Sequence, residues 1–184
     1  SLFSDGAAAA IVSAREPAPG SPAYRLEGFR SALVPDGEQD MAWRIGDHGF
    51  DIALSSYVPK IIGANIREAV APALAEAGLA VPEVDVWAVH PGGKSIVDQV
   101  QRSLGLSPFQ VSASREVLRR YGNMSSATIL FVLEEILRSP VRKSPERVCA
   151  VAFGPGLTVE TAILSALRAV SGAESPVPAA VAPG

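Results

Sequence analysis

Apolar positions along the chain change their period several times, and each change marks an element. After the Asp5-Gly6 turn, a short apolar run predicts a strand from Ala8 to Val12. PAPGSP at 17–22 reads as a loop, Tyr24 to Val34 as a second strand, PDGEQD as a turn, and Gly49 to Ser55 as a third strand. From Val58 to Ala77 the spacing becomes helical, with Val58, Ile61, Ile62, Ile66, Ala69 and Val70 on one face. Pro72 lacks the N–H a helix interior needs, so a kink or a division is expected there, and Gly78 is expected to close the helix. Asp85 to Val89 is apolar at nearly every position, as in a parallel strand covered on both faces.

The second half repeats the alternation. Lys94 to Leu104 predicts a helix with Ile96, Val97, Val100 and Leu104 inward, and Ser114 to Tyr121 a short polar helix ended by Gly122. Ser125 to Arg138 is apolar almost all round and is expected to be mostly buried. Val148 to Phe153 predicts a strand, Gly154-Pro155-Gly156 a turn, and Leu157 to Leu164 another strand. From Ser171 the chain is rich in Pro and Ala and predicts a disordered tail. Strands alternating with helices make an α/β layered domain around a central mixed sheet.

Composition narrows the class of function. With 184 residues, 48% of them hydrophobic, the chain is long enough for one domain with a real core. A net charge of −3, without a Lys/Arg block, argues against nucleic acid as the main partner. The single cysteine, Cys149, excludes an internal disulfide and a multi-cysteine metal site, and points to a reducing compartment. The apolar runs are too short and too interrupted to span a bilayer, and the opening residues lack the order of a signal peptide. The chain opens on SLFSDGAAAAIVS without a Met, as a segment cut from a longer protein would.

Three stretches carry candidate chemistry. In open α/β sheets ligands meet the carboxyl ends of the strands. His90 stands at such an end, followed by Pro91, Gly92 and Gly93, which stop the strand and let a ligand approach the backbone. On position alone it is either a histidine hydrogen-bonded at a junction or a catalytic one. Asn123, in RRYGNMSSA, is either an N-cap or an amide donor at the positive end of a helix. The Gly154-Pro155-Gly156 turn lacks the Lys-Ser/Thr ending of a phosphate loop. Cys149, inside an apolar strand, reads as a core thiol, His48 as an exposed turn residue, and Glu134 and Glu135 as a solvated stripe.

Taken in order, LFSDGAAAAIV, HPGG, GNMSSA and FGPGLTVET resemble the C-terminal half of type III polyketide synthases, the chalcone and stilbene synthase family. The resemblance covers about residues 1 to 167, with 1–14 as the end of the N-terminal half and 168–184 as a disordered tail. It implies a thiolase-like half, layered α/β/α, with a mixed five-stranded sheet. It further implies a Cys-His-Asn site that decarboxylates malonyl-CoA and condenses it onto an acyl-CoA starter, giving an aromatic or pyrone polyketide. The family histidine falls on His90 and the asparagine on Asn123. Gly92, Gly93, Ser125, Gly154, Pro155 and Gly156 fall on substrate-binding positions. Ile52 falls where plant members carry a gatekeeping phenylalanine. The implied histidine first pairs with the cysteine thiolate, then donates with the asparagine to the thioester oxygen.

The family nucleophile has no counterpart among these residues, because Cys149 lies in the wrong place; the chain alone is expected to catalyse no condensation. No metal or bound cofactor is implied, since CoA enters as the carrier of the substrate. A homodimer in the cytoplasm is expected, with neither membrane nor nucleic acid as partner. Two other readings compete. A β-ketoacyl carrier-protein synthase III type shares the Cys-His-Asn logic but normally has His-Gln-Ala-Asn where this chain has His-Pro-Gly-Gly. A non-catalytic dimerisation module would have kept the fold and lost the chemistry.

Overall fold

In the computed structural model, residues 3–18, 20–35, 37–140 and 144–168 are described. The elements follow in the order β1 (Ala23–Leu33), β2 (Met41–Gly46), β3 (Gly49–Leu54), α1 (Val58–Glu76), β4 (Val86–Val89), α2 (Lys94–Leu104), α3 (Ser112–Tyr121), α4 (Thr128–Arg138), β5 (Glu146–Gly154) and β6 (Thr158–Leu167). Two 3-10 turns, Val81–Glu83 and Ser125–Ala127, precede β4 and α4.

Four strands form one mixed sheet in the order β1-β6-β5-β4, with β4 and β5 parallel and the other pairs antiparallel. Alternation along β4 sends Trp87 and Val89 to one face, Val86 and Ala88 to the other, and all four are buried. On the first face α1 and α2 supply Ile62, Ile66, Val70, Val97 and Val100. On the second, α3 and α4 supply Val117, Val132 and Ile136. The result is the expected α/β/α layering, built on four strands where five were expected.

The difference has two sources. Met41–Gly46, not expected as a strand, pairs with β3 in a separate two-stranded hairpin closed by Asp47 and His48. The apolar run Ala8 to Val12, expected as a strand, forms none, and Ile11 is 98% exposed. A strand requires a neighbour for its backbone N–H and C=O groups, and none of the described strands lies beside this run.

The other elements lie where expected, with boundaries within about three residues (the last strand runs on to Leu167, past Leu164) and three corrections. Pro72 does not divide α1, which runs unbroken from Val58 to Glu76. Pro72 faces solvent, where water can satisfy the Glu68 carbonyl it leaves free, while Ala69, Val70, Ala73 and Leu74 are buried around it. Gly78 then closes the helix at φ +65, with the Leu79 N–H donating to the Leu74 carbonyl at 2.8 Å. The helix expected from Ser125 is a 3-10 turn followed by α4, and only Thr128, Val132 and Ile136 of α4 are buried, so its apolar outer side is half-exposed. Arg168, placed in the tail by the sequence, belongs to the fold. It is buried, pairs with Glu146, and donates to the Ile136 and Ser139 carbonyls that end α4. The rest of the expected tail, 169–184, lies outside the described residues.

β4 is an edge strand, and its free side is closed by the α3 region. The Trp87 N–H donates to the Gln110 carbonyl at 2.8 Å, and the Val89 N–H to the Ser114 hydroxyl at 2.9 Å. Among the described residues, no helix is long and apolar enough to cross a membrane.

Candidate active-site cleft

The β4 strand ends one residue before His90. The His90 N–H continues the ladder to the Val151 carbonyl of β5 at 2.8 Å, and the Gly92 N–H turns back onto the His90 carbonyl at 3.0 Å. The imidazole is thereby held on a rigid strand end, facing an open cleft of about 920 Å³. Gly93 then starts α2 with an extended φ of 173°, a conformation any residue adopts, and nothing lies within 4 Å of where its Cβ would be. Space for a ligand, rather than backbone freedom, is what that glycine leaves. At Gly92 a Cβ would sit 3.9 Å from the His90 Nε2, against its polar edge.

Asn123 reaches the same cleft from the other end of α3. Gly122, at φ +75, stops that helix and turns the chain. The Asn123 side-chain oxygen accepts from the Ser125 N–H at 2.9 Å, which orients the amide. Its Nδ2 donates to the Gly92 carbonyl at 3.1 Å, tying the asparagine loop to the histidine loop. Asn123 is not the cap of a helix, since Met124 and Ala127 hold the capping positions; its oxygen closes a turn onto Ser125 and its amide bridges to the Gly92 loop. Ser125, which receives this wiring through its backbone, holds a left-handed φ of 57°, unusual outside glycine. From behind, the Ser4 N–H donates to the Asn123 carbonyl at 2.8 Å, and the Ser4 hydroxyl to the Tyr121 carbonyl at 2.6 Å.

His90, Gly92, Gly93, Asn123, Ser125, Ile52 and Pro155 all line this cleft. Gly154 and Gly156 do not; they lie behind Pro155 and shape its turn. A Cβ on Gly154 would meet the Thr158 hydroxyl at 2.7 Å, Gly156 adopts φ +126, and its N–H donates to the Met41 carbonyl at 3.0 Å. The sequence reading missed most of the apolar wall: Met41, Trp43 and Leu54 beside Ile52, then Ile62, Ile129 and Phe153. The signal was present in Met41, Trp43 and Ile45, which alternate and face Leu54, Ile52 and Phe50 across the hairpin.

None of the described residues lining the cleft carries a full charge. Burial alone therefore acts on His90 and pushes its pKa down to about 4, leaving the ring neutral at pH 7 with one N–H to donate. Among the described residues, neither the His90 ring nor the second Asn123 Nδ2–H makes a hydrogen bond. Cys149 is remote from this chemistry. It is fully buried in β5, and burial pushes its thiol up to about 12. His48 lies exposed in the hairpin turn, as expected.

A strand-end histidine and a helix-end asparagine amide thus open on one cleft, in a half-sheet layered between helix pairs. The family model for chalcone and stilbene synthases, C-terminal domain, matches residues 26–168, which span both loops, the hairpin and the Gly-Pro-Gly turn. The chain belongs to the chalcone and stilbene synthase family of type III polyketide synthases, as its C-terminal domain.

Proposed function

We propose that this chain supplies the histidine and asparagine of a decarboxylative condensing site, acting on malonyl-CoA and an acyl-CoA starter. The observation that carries the reading is the convergence of His90 and Asn123 on one cleft, linked by the Asn123–Gly92 hydrogen bond. The nucleophilic cysteine comes from a segment outside these residues, since the Cys149 thiol is sealed and protonated.

A thiolate brought beside His90 favours the imidazolium and raises its pKa from the low value that burial alone sets. The pair activates the sulfur for attack on the starter thioester; the acyl group is transferred to sulfur, and CoA takes the imidazolium proton and leaves as the thiol. His90, neutral again, and Asn123 then donate N–H groups to the thioester oxygen of malonyl-CoA. Cleavage of the C–C bond releases CO2, and the electron pair becomes an enolate whose oxygen sits between the two donors. The enolate carbon attacks the acyl-cysteine carbonyl and expels the thiolate, so the chain grows by two carbons, and a proton taken up from solvent by His90 restores the starting ion pair. An apolar wall strengthens both donor contacts and limits quenching of the enolate by water.

The test uses the full-length protein that contains this chain. Asn123→Ala should lower malonyl-CoA decarboxylation by about 10²-fold or more, while acylation by the starter continues. Decarboxylation at the wild-type rate would overturn the role. Turnover with free malonyl-CoA is expected; a strict need for a carrier protein would move the reading to the carrier-protein synthases.

A further inference from the structure

β4 is four residues long, and its last two positions decide where the His90 ring stands. On one side, the His90 N–H is fixed to β5 through the Val151 carbonyl at 2.8 Å. On the other, the Val89 N–H points away from the sheet and donates to the Ser114 hydroxyl at 2.9 Å. Ser114 is fully buried, beside Ala113 and Val117 on the inner face of α3. Such a depth suits an apolar residue, and an oxygen there requires a partner. The partner it has is the outward N–H of the residue next to the histidine.

The same helix ends at Gly122 and hands the chain to Asn123. From Ser114 to Tyr121 is about 10 Å of rigid helix at 1.5 Å per residue. α3 therefore spans the site as a spacer, bonded to the histidine strand at its first turn and delivering the asparagine at its last. A second tie, Arg115 to Asp98 at 2.7 Å and to Gln101 at 2.6 Å, holds α3 to α2, whose start follows Gly93. Ala113 and Val117 pack with Val86 and Ala88, and the Trp87 N–H bonds to Gln110 just ahead of the helix, but among the described residues of α3 itself Ser114 alone hydrogen-bonds to β4.

We propose that Ser114 is a positioning residue: by joining the end of β4 to α3, it sets the separation of the His90 and Asn123 donors. This rests on the reading that both donors bind one thioester oxygen. Ser114 touches no substrate, and its effect is transmitted through the Val89 amide.

The experiment uses the full-length protein and a graded series at one position. Ser114→Thr keeps the oxygen acceptor, Ser114→Cys offers a weak one, and Ser114→Ala none. Decarboxylation of malonyl-CoA should fall in that order, with kcat about 30-fold lower for Ser114→Ala, since a small misplacement of an oriented group costs rate steeply. KM should stay within about twofold, because the lost interaction belongs to the transition state. Melting temperatures are taken for each variant, so that a threonine that does not fit is recognised and the cysteine variant then carries the comparison. Ile136→Ala, which loosens the buried cluster containing Val86 and Ala88 but removes no hydrogen bond to β4, serves as a control for general loosening. A wild-type kcat in Ser114→Ala, or an equal loss of kcat in Ile136→Ala at equal loss of melting temperature, overturns the proposal. His90→Ala and Asn123→Ala run beside them. If those two retain full turnover, the functional reading itself fails; if they lose it while Ser114→Ala does not, only the positioning role does.

Discussion

His90 and Cys149 sit on neighbouring parallel strands and are displaced from their ordinary pKa values by one cause. Burial pushes the imidazole down to about 4 and the thiol up to about 12, and each shift favours the neutral form. The consequences diverge because of where each strand leaves its residue. Cys149 lies opposite Trp87 in the middle of the ladder, within the cluster between the sheet and the α1–α2 layer. His90 lies one residue past the ladder, where the sheet opens on the cleft. Desolvation alone does not single out a group for chemistry; desolvation at an open rim makes it a candidate.

The strongest way to break this contrast is to probe the thiol. Raising a thiol from 9.0 to about 12 cuts its thiolate fraction about 1000-fold. Labelling of Cys149 by a thiol reagent at pH 8 should therefore be slower by at least about 10³-fold in the folded chain than in denaturant. Comparable rates would mean that β5 opens readily and that the core assignment is wrong.

A smaller effect should come from the histidine. The unfolded chain binds a proton at His90 near pH 6.5, and the folded one only near pH 4. Stability from this group is whole above about pH 6.5, is lost as pH falls, and levels off below about 4. The full loss is on the order of 3 kcal/mol. Carboxylates such as Asp98, held below the usual range by Lys94 and Arg115, also titrate at low pH. The measurement is therefore the difference between wild type and His90→Gln in denaturant melts across pH 4 to 7. A difference that stays flat with pH would show that the ring is solvated. Smallest is Cys149→Ser, which buries a hydroxyl without an assigned partner and should cost about 1–3 kcal/mol. Full-length enzyme carrying it should keep its turnover, and a large drop in kcat would return Cys149 to the chemistry.

Much of the scaffold was legible because local rules and packing agree there. α2 carries four apolar residues at helical spacing and ends on Gly105 at φ +71, so its sequence boundaries are those observed. Where structure depends on a partner, the pattern misled. Ala8 to Val12 has the composition of a strand, but a strand exists only as a pair. The signal of β2 is weak because its alternation covers only Met41, Trp43 and Ile45 before a polar turn, and its apolar face covers a cleft instead of a second sheet. In the site, His90 and Asn123 were visible as punctuation around a strand end and a helix end. Their convergence was not, since it depends on the length of α3 and on the Gly92 carbonyl between them. Gly154 and Gly156 matched the same motif as Pro155 but serve its geometry from behind, a distinction that only backbone angles reveal.

The β2–β3 hairpin behaves mechanically as a cantilever. Its root is clamped, with the Met41 carbonyl held by the Gly156 N–H at 3.0 Å and the Ser55 N–H donating to the Asp40 carbonyl at 2.8 Å. Toward the tip, Ile45 is 88% exposed and Phe50 66%. A beam fixed at one end bends little near the clamp and most at its free end. Met41 and Leu54 therefore give the cleft a wall of constant position, while Trp43 and Ile52, farther from the clamp, set a width that can yield to what enters.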